Sequence, residues 1–136
     1  MPTLENSFML REVSPDEKWF AFFEDNGETG YMYLGIPYED GENGKIVEDM
    51  WIYNQILPPI EECKEVFLIW SKDSKKVSLI VDQECWGIYD LLSWRKMNAP
   101  RVENCIKTIP RELWDNGLSD GDGEKIRPIE TNKNQN

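Results

Sequence analysis

Residues 14–34 read SPDEKWFAFFEDNGETGYMYL and residues 71–91 read SKDSKKVSLIVDQECWGIYDL, and the way these two stretches fold decides the architecture. Aligned without gaps they share Ser14 with Ser71, Asp16 with Asp73, Lys18 with Lys75, Asp25 with Asp82, Gly30 with Gly87 and Leu34 with Leu91. S-x-D-x-K marks a turn in both, because Ser and Asp side chains bond nearby backbone amides and a strand begins just afterwards. The reading is a turn-strand-turn-strand unit that recurs.

Working outward, WFAFF (19–23) and YMYLGI (31–36) flank DNGETG, which predicts a β-hairpin. VFLIW (66–70), VSLIVD (77–82) and WGIYDLL (86–92) predict three consecutive strands of a meander. VFLIW and SLIV are nearly continuous apolar runs, expected as central strands covered on both faces, whereas YMYL with its polar tips is expected nearer an edge. In KIVEDMWIYNQ, Ile46, Val47, Met50, Trp51 and Tyr53 fall at helical spacing while WIY also favours a strand; the helix is preferred over 46–54. Short helices are expected after Pro58 and Pro59 and in IPRELWDNG, where Asn116 and Gly117 supply a left-handed stop. The expected fold is α+β, mainly β: a single twisted antiparallel sheet of five to six strands with two or three short helices. One globular domain over 1–118 is expected, followed by a flexible tail or loosely docked extension over 119–136, where apolar residues are few.

The chain has 136 residues, with 26 acidic against 15 basic side chains and a net charge of −11. That sign disfavours nucleic acid and anionic membrane surfaces and makes a basic protein the natural partner. MPTLENSFMLREV has no basic segment followed by an apolar run, and no stretch of about eighteen apolar residues occurs, so neither signal peptide nor membrane span is read and a cytoplasmic location is expected. Cys63, Cys85 and Cys105 are widely spaced, which fits reduced structural thiols. An exposed edge strand leaves a homodimer open.

FFEDNGETGYMY (22–33), IYN (52–54), IWSKDSKKVSLIVD (69–82) and IYDL (88–91), in this order, resemble an uncharacterised bacterial domain family of unknown function, with the pattern F-E-D-x-G-x-T-G-Y, then I-Y-N, then W-S-x-D-x-K-K. The resemblance covers roughly residues 7–95 and implies a small bacterial cytoplasmic α+β domain, with no established activity. Members of this pattern often carry His just before I-Y-N and before the last strand, where this chain has Trp51 and Trp86. A metal or proton-transfer role of those positions in relatives would therefore be absent or altered here.

Histidine is missing altogether, which removes the commonest general base at neutral pH and most transition-metal sites. No catalytic constellation is found, so the chain is read as non-enzymatic, with no metal and no cofactor. DGDGE (120–124) starts like a calcium loop but has Lys125 at its sixth position and Thr131 at its twelfth, where the loop needs Gly and Glu. What stands out is residues 24–49, with eight carboxylates against Lys45 alone, net −7, interleaved with Tyr31, Tyr33 and Tyr38 and followed by Trp51. Aromatic anchors among steering carboxylates are what a face for a basic protein needs. The expected partner-binding residues are Asp25, Glu28, Tyr31, Tyr33, Tyr38, Asp40, Glu42, Glu48, Asp49 and Trp51. The expected function is an acidic inhibitor or immunity-type binding protein. The alternatives are a DNA mimic that occupies a nuclease or DNA-binding protein, and a carboxylate-based metal or small-ligand domain.

Overall fold

A computed structural model describes residues 7–54, 56, 59–99, 101–102, 105–106 and 108–128. The first sheet is a meander of β1 (Phe8–Val13), β2 (Phe20–Asp25), β3 (Thr29–Pro37) and β4 (Gly44–Asn54). The second is a meander of β5 (Val66–Trp70), β6 (Lys76–Val81), β7 (Glu84–Asp90) and β8 (Arg95–Asn98), with β11 (Glu124–Lys125) added beside β8. Among the described residues β9 (Arg101–Val102) and β10 (Cys105–Ile106) pair only with each other. All pairings are antiparallel.

The S-x-D-x-K turns of the two units repeat in atomic detail. Ser14 Oγ donates to Asp16 Oδ1 (2.6 Å) and accepts from Trp19 N (3.1 Å), while Lys18 N donates to Asp16 Oδ1 (3.0 Å). In the second turn Ser71 Oγ donates to Asp73 Oδ1 (2.7 Å) and accepts from Lys76 N (3.0 Å), and Lys75 N donates to Asp73 Oδ1 (3.0 Å). The serine hydroxyl holds each aspartate below its ordinary carboxylate value. Glu17 and Ser74, at matching places, share the left-handed φ of 63°. The turns also touch, since Asp16 N donates to Ser74 Oγ (2.9 Å). Ser14→Ala and Ser71→Ala are each expected to lower the unfolding free energy by about 1 kcal/mol, Ser14→Ala by more because its hydroxyl is buried. Urea unfolding checks this, and a loss confined to one position would show that the turns are not energetically equivalent.

The units do not join into the single sheet expected from the sequence; they stack as two. Met32, Met50 and Ile52 of the first sheet lie against Gly87 of the second, where a Cβ would come within 3.0–3.4 Å of their side chains. Tyr89 Oη donates across to Met32 O (2.6 Å). Ala21, Phe23, Leu34, Leu68, Val77, Leu79 and Val81 complete the shared interior. Each meander has an apolar face that it cannot cover alone; stacking removes these two faces from water at once, whereas edge-to-edge pairing would leave both wet. The long sides are tied by Trp70 Nε1 donating to Glu12 O (3.0 Å) between β5 and β1, and by Asn98 Nδ2 donating to Trp51 O (2.8 Å) between β8 and β4.

The helix preferred over 46–54 is instead strand β4. Glu48, Met50 and Ile52 alternate inward and are buried, and register shifts leave Val47 and Ile52 as extra residues opposite β3. These bulges break the two-residue period and create an accidental helical spacing. The helix expected after the prolines is a single 3-10 turn, Ile60–Glu62; Pro58 lies outside the described residues. Only IPRELWDNG forms an α-helix among the described residues, α1 (Arg111–Asn116).

Edge and centre differ from expectation for VFLIW and YMYL, whereas SLIV lies in β6, an interior strand buried on both sides as expected. VFLIW is β5, an edge strand whose Phe67 and Ile69 are 39% and 52% exposed, because residues 108–118 cover the outer side of β6 and β7 and stop short of β5. YMYL lies in β3, an interior strand whose polar tips meet water through the uncovered outer face of its sheet. Residues 119–128, expected as a mobile or loosely docked tail, form β11, bury Ile126 and place the Arg127 carbonyl to accept from Trp94 Nε1 (3.2 Å). The rest of that segment, 129–136, lies outside the described residues. No helix among the described residues is long and apolar enough to cross a membrane.

Candidate functional site

Along β2 and β3 the chain alternates, so Phe23 and Met32 point into the interior while Phe22, Glu24, Tyr31 and Tyr33 point away from it. Opposite Tyr33 and Tyr31, β4 places Asp49 and Trp51 in register. The result is a row of rings on the outer face of the first sheet. Phe22 lies 5.8 Å from Tyr33, and Tyr33 stacks 6.1 Å from Tyr31, centroid to centroid. Carboxylates edge the row: Tyr33 Oη donates to Glu24 Oε1 (3.2 Å), and the Asp49 side chain is 54% exposed. Burial and the neighbouring Glu24 push the Tyr33 hydroxyl up to about 12, so it stays a protonated donor throughout the physiological range.

Of the ten expected residues, the structure brings Tyr31, Tyr33, Asp49 and Trp51 together on this face. Tyr38, Asp40 and Glu42 sit apart, exposed in the β3–β4 turn, where Asp40 Oδ1 accepts from Glu42 N and Asn43 N (both 2.9 Å) and these bonds hold the Asp40 carboxyl below its ordinary value. Glu28 is exposed at the β2–β3 turn. The other two point inward. Asp25 accepts from Tyr53 Oη (2.6 Å) and Gly27 N (2.6 Å). Glu48 is 3% exposed and accepts from Lys96 Nζ, Arg127 Nε (2.6 Å) and Arg127 N (3.2 Å). Both inward carboxylates hold the fold together rather than present charge to a partner. Phe22 and Glu24 were missing from the expected set, although their alternation with Phe23 was a readable signal.

Beside this face, at the seam of β4 and β8, lies a pocket of about 560 Å³ lined by Tyr31, Asp49, Trp51, Lys96, Asn98 and Glu124 among others. On the far side of the molecule a more apolar groove of about 490 Å³ runs between β5 and α1 over Phe67, Ile69, Ile80 and Trp114. Among the described residues no three of His, Cys, Asp and Glu come close enough to hold a metal ion. In the suspected calcium loop Asp122 Oδ2 accepts from Ser119 N (3.0 Å) and Oγ (3.2 Å), which makes this a closed turn; Thr131 lies outside the described residues. Cys63 and Cys85 are free thiols, and burial pushes Cys85 up to about 12, a value that keeps it inert.

No curated protein and no solved structure matches this chain. The bacterial family to which the resemblance pointed is found: the family described as an uncharacterized protein conserved in bacteria (DUF2251) matches residues 3–116, a span that takes in both meanders and α1, and the chain belongs to it.

Proposed function

We propose that this protein is a non-enzymatic binding protein that recognises a basic protein partner across the outer face of its first sheet, acting as an inhibitor or immunity-type antidote. The observation that carries this reading is the continuous row Phe22, Tyr33 and Tyr31 with Glu24 and Asp49 at its margins. Rings held by strand backbone lose little conformational entropy on binding and supply buried area, while the carboxylates at the rim steer a positively charged partner and pair with its Lys or Arg side chains. Tyr38, Asp40, Glu42 and Glu28 extend the acidic field at the two ends of the same sheet. The net charge of −11 adds long-range attraction, which salt weakens.

The test keeps Asp25 and Glu48 intact because they stabilise the fold, and reverses charge at Glu24→Lys and Asp49→Lys. Tagged wild type and variant are used to capture proteins from bacterial lysate at low and at moderate salt. The expected result is a basic partner retained by wild type, weakened by salt and lost in the variant, whose circular dichroism is unchanged. Retention of the same partner by the variant would remove this face from consideration.

A further inference from the structure

We propose that the pocket at the β4–β8 seam receives one arginine side chain of the basic partner, an inference that rests on the reading of the adjoining face as the partner site. The pocket opens beside Tyr31, so a segment lying along the aromatic row reaches it without leaving the sheet. Its walls come from separate elements: Tyr31 from β3, Asp49 from β4, Asn98 from β8 and Glu124 from β11. The one ammonium in the lining, Lys96, is turned inward, donating to Glu48 Oε2 and to Asp49 O (3.1 Å), so it is neutralised from behind. Glu124 has no ion pair among the described residues. Asp49 meets Arg127 Nη2 only at 3.4 Å through Oδ2.

An aromatic wall with carboxylates on two different elements discriminates between cations by shape. A guanidinium is a flat fork with five donors, suited to stacking on an aromatic ring while bonding more than one carboxylate, whereas an ammonium is a compact point charge without that planar fork. Arg127 already presents one guanidinium to the neighbouring carboxylates Glu48 and Asp49, which shows that this seam accommodates that geometry.

Two synthetic peptides test the inference, identical Gly/Ser chains carrying either arginines or lysines at the same positions, titrated into the full chain by calorimetry with amide shifts recorded by NMR. The arginine peptide is expected to bind about fivefold or more tightly than the lysine peptide, in keeping with one added cation–π contact and one added charge-assisted pair. Its shifts should centre on Tyr31, Asp49 and Glu124. Glu124→Gln, an exposed change that leaves the melting temperature in place, should bring the arginine peptide down to the lysine level. Equal binding of the two peptides, with shifts confined to Phe22 and Tyr33, would overturn the pocket assignment and leave the face intact. Binding of neither peptide would overturn both.

Discussion

Glu48→Ala is expected to lower the unfolding free energy by about 3–5 kcal/mol, the range found when one partner of a buried ion pair is removed. Glu48 occupies an inward position of β4 and is 3% exposed, and it accepts from Lys96 of β8 and from both the side chain and the backbone of Arg127. Deleting the carboxylate strands the largely buried Lys96 ammonium and frees the segment that carries β11, so one substitution loosens the β4–β8 seam and its cover together. Burial alone would raise the Glu48 pKa, but the hydrogen bonds from Lys96 and Arg127 together outweigh it and hold the carboxyl below its ordinary value of 4.5. The folded protein therefore binds fewer protons at this site than the unfolded chain in the acid range. The contribution of Glu48 is full above pH 4.5 and is lost as pH falls through the lower folded value. Urea unfolding from pH 7 down to pH 3 should show wild-type stability falling in acid, with a shallower fall in Glu48→Gln. A loss under about 1 kcal/mol in Glu48→Ala at pH 7 would mean that water replaces the carboxylate and that the seam is held by other contacts.

The same residue explains what the sequence concealed. Strand β4 was hidden because a carboxylate occupies one of its inward positions and because bulges at Val47 and Ile52 shift its period, leaving the apolar residues at helical spacing. Asp25 and Glu48 look like surface acids in a list of charges. Their partners Tyr53, Lys96 and Arg127 stand 28, 48 and 79 residues away, beyond the reach of local pattern. The S-x-D-x-K turns were legible because their hydrogen bonds close within five residues. Tyr31 and Tyr33 were legible on one face because they alternate with Met32 in a stretch that reads as a strand, whereas Asp49 and Trp51 stood out only as an acid and a ring and their place opposite the two tyrosines was not readable. Continuous apolar runs misled in β5, since a run records hydrophobicity on both sides but not which side another layer reaches. Whether two meanders join or stack depends on which faces match, and Gly87 facing Met32, Met50 and Ile52 is a match made only in three dimensions.

Gly30→Ala is expected to cost about 3 kcal/mol, the upper end for overpacking, whereas Gly87→Ala at the matching place in the second unit is expected to cost about 1 kcal/mol. Both glycines lie beneath side chains of the first sheet, one at Gly30 and three at Gly87, but what lies over them differs in its freedom to move. A Cβ at Gly30 would come within 2.6–2.9 Å of three atoms of the Tyr53 ring. That ring is pinned at its far end by the hydrogen bond from Tyr53 Oη to Asp25 (2.6 Å). It is braced on its flanks by Trp86, edge-on with centroids 5.8 Å apart, and by Phe23 at 6.2 Å. Relief of the clash therefore breaks the bond to a buried carboxylate or displaces two further aromatic rings, and a tightly packed interior transmits such a shift rather than absorbing it. At Gly87 the nearest atoms are Ile52 Cδ1 and Met32 Sδ at 3.0 Å and Met50 Cε at 3.4 Å, all at or near the ends of flexible side chains that can turn aside by a few tenths of an ångström. Thermal and urea unfolding of the two single variants and of Gly30→Ala combined with Tyr53→Leu decide the matter. If the ring is the obstacle, Gly30→Ala should cost clearly less in the Tyr53→Leu background than in wild type, a coupling that a propensity effect of alanine on the strand would not produce. Equal losses at Gly30 and Gly87, with no coupling to Tyr53, would show that the ring shifts freely and that the Asp25 bond does not fix it.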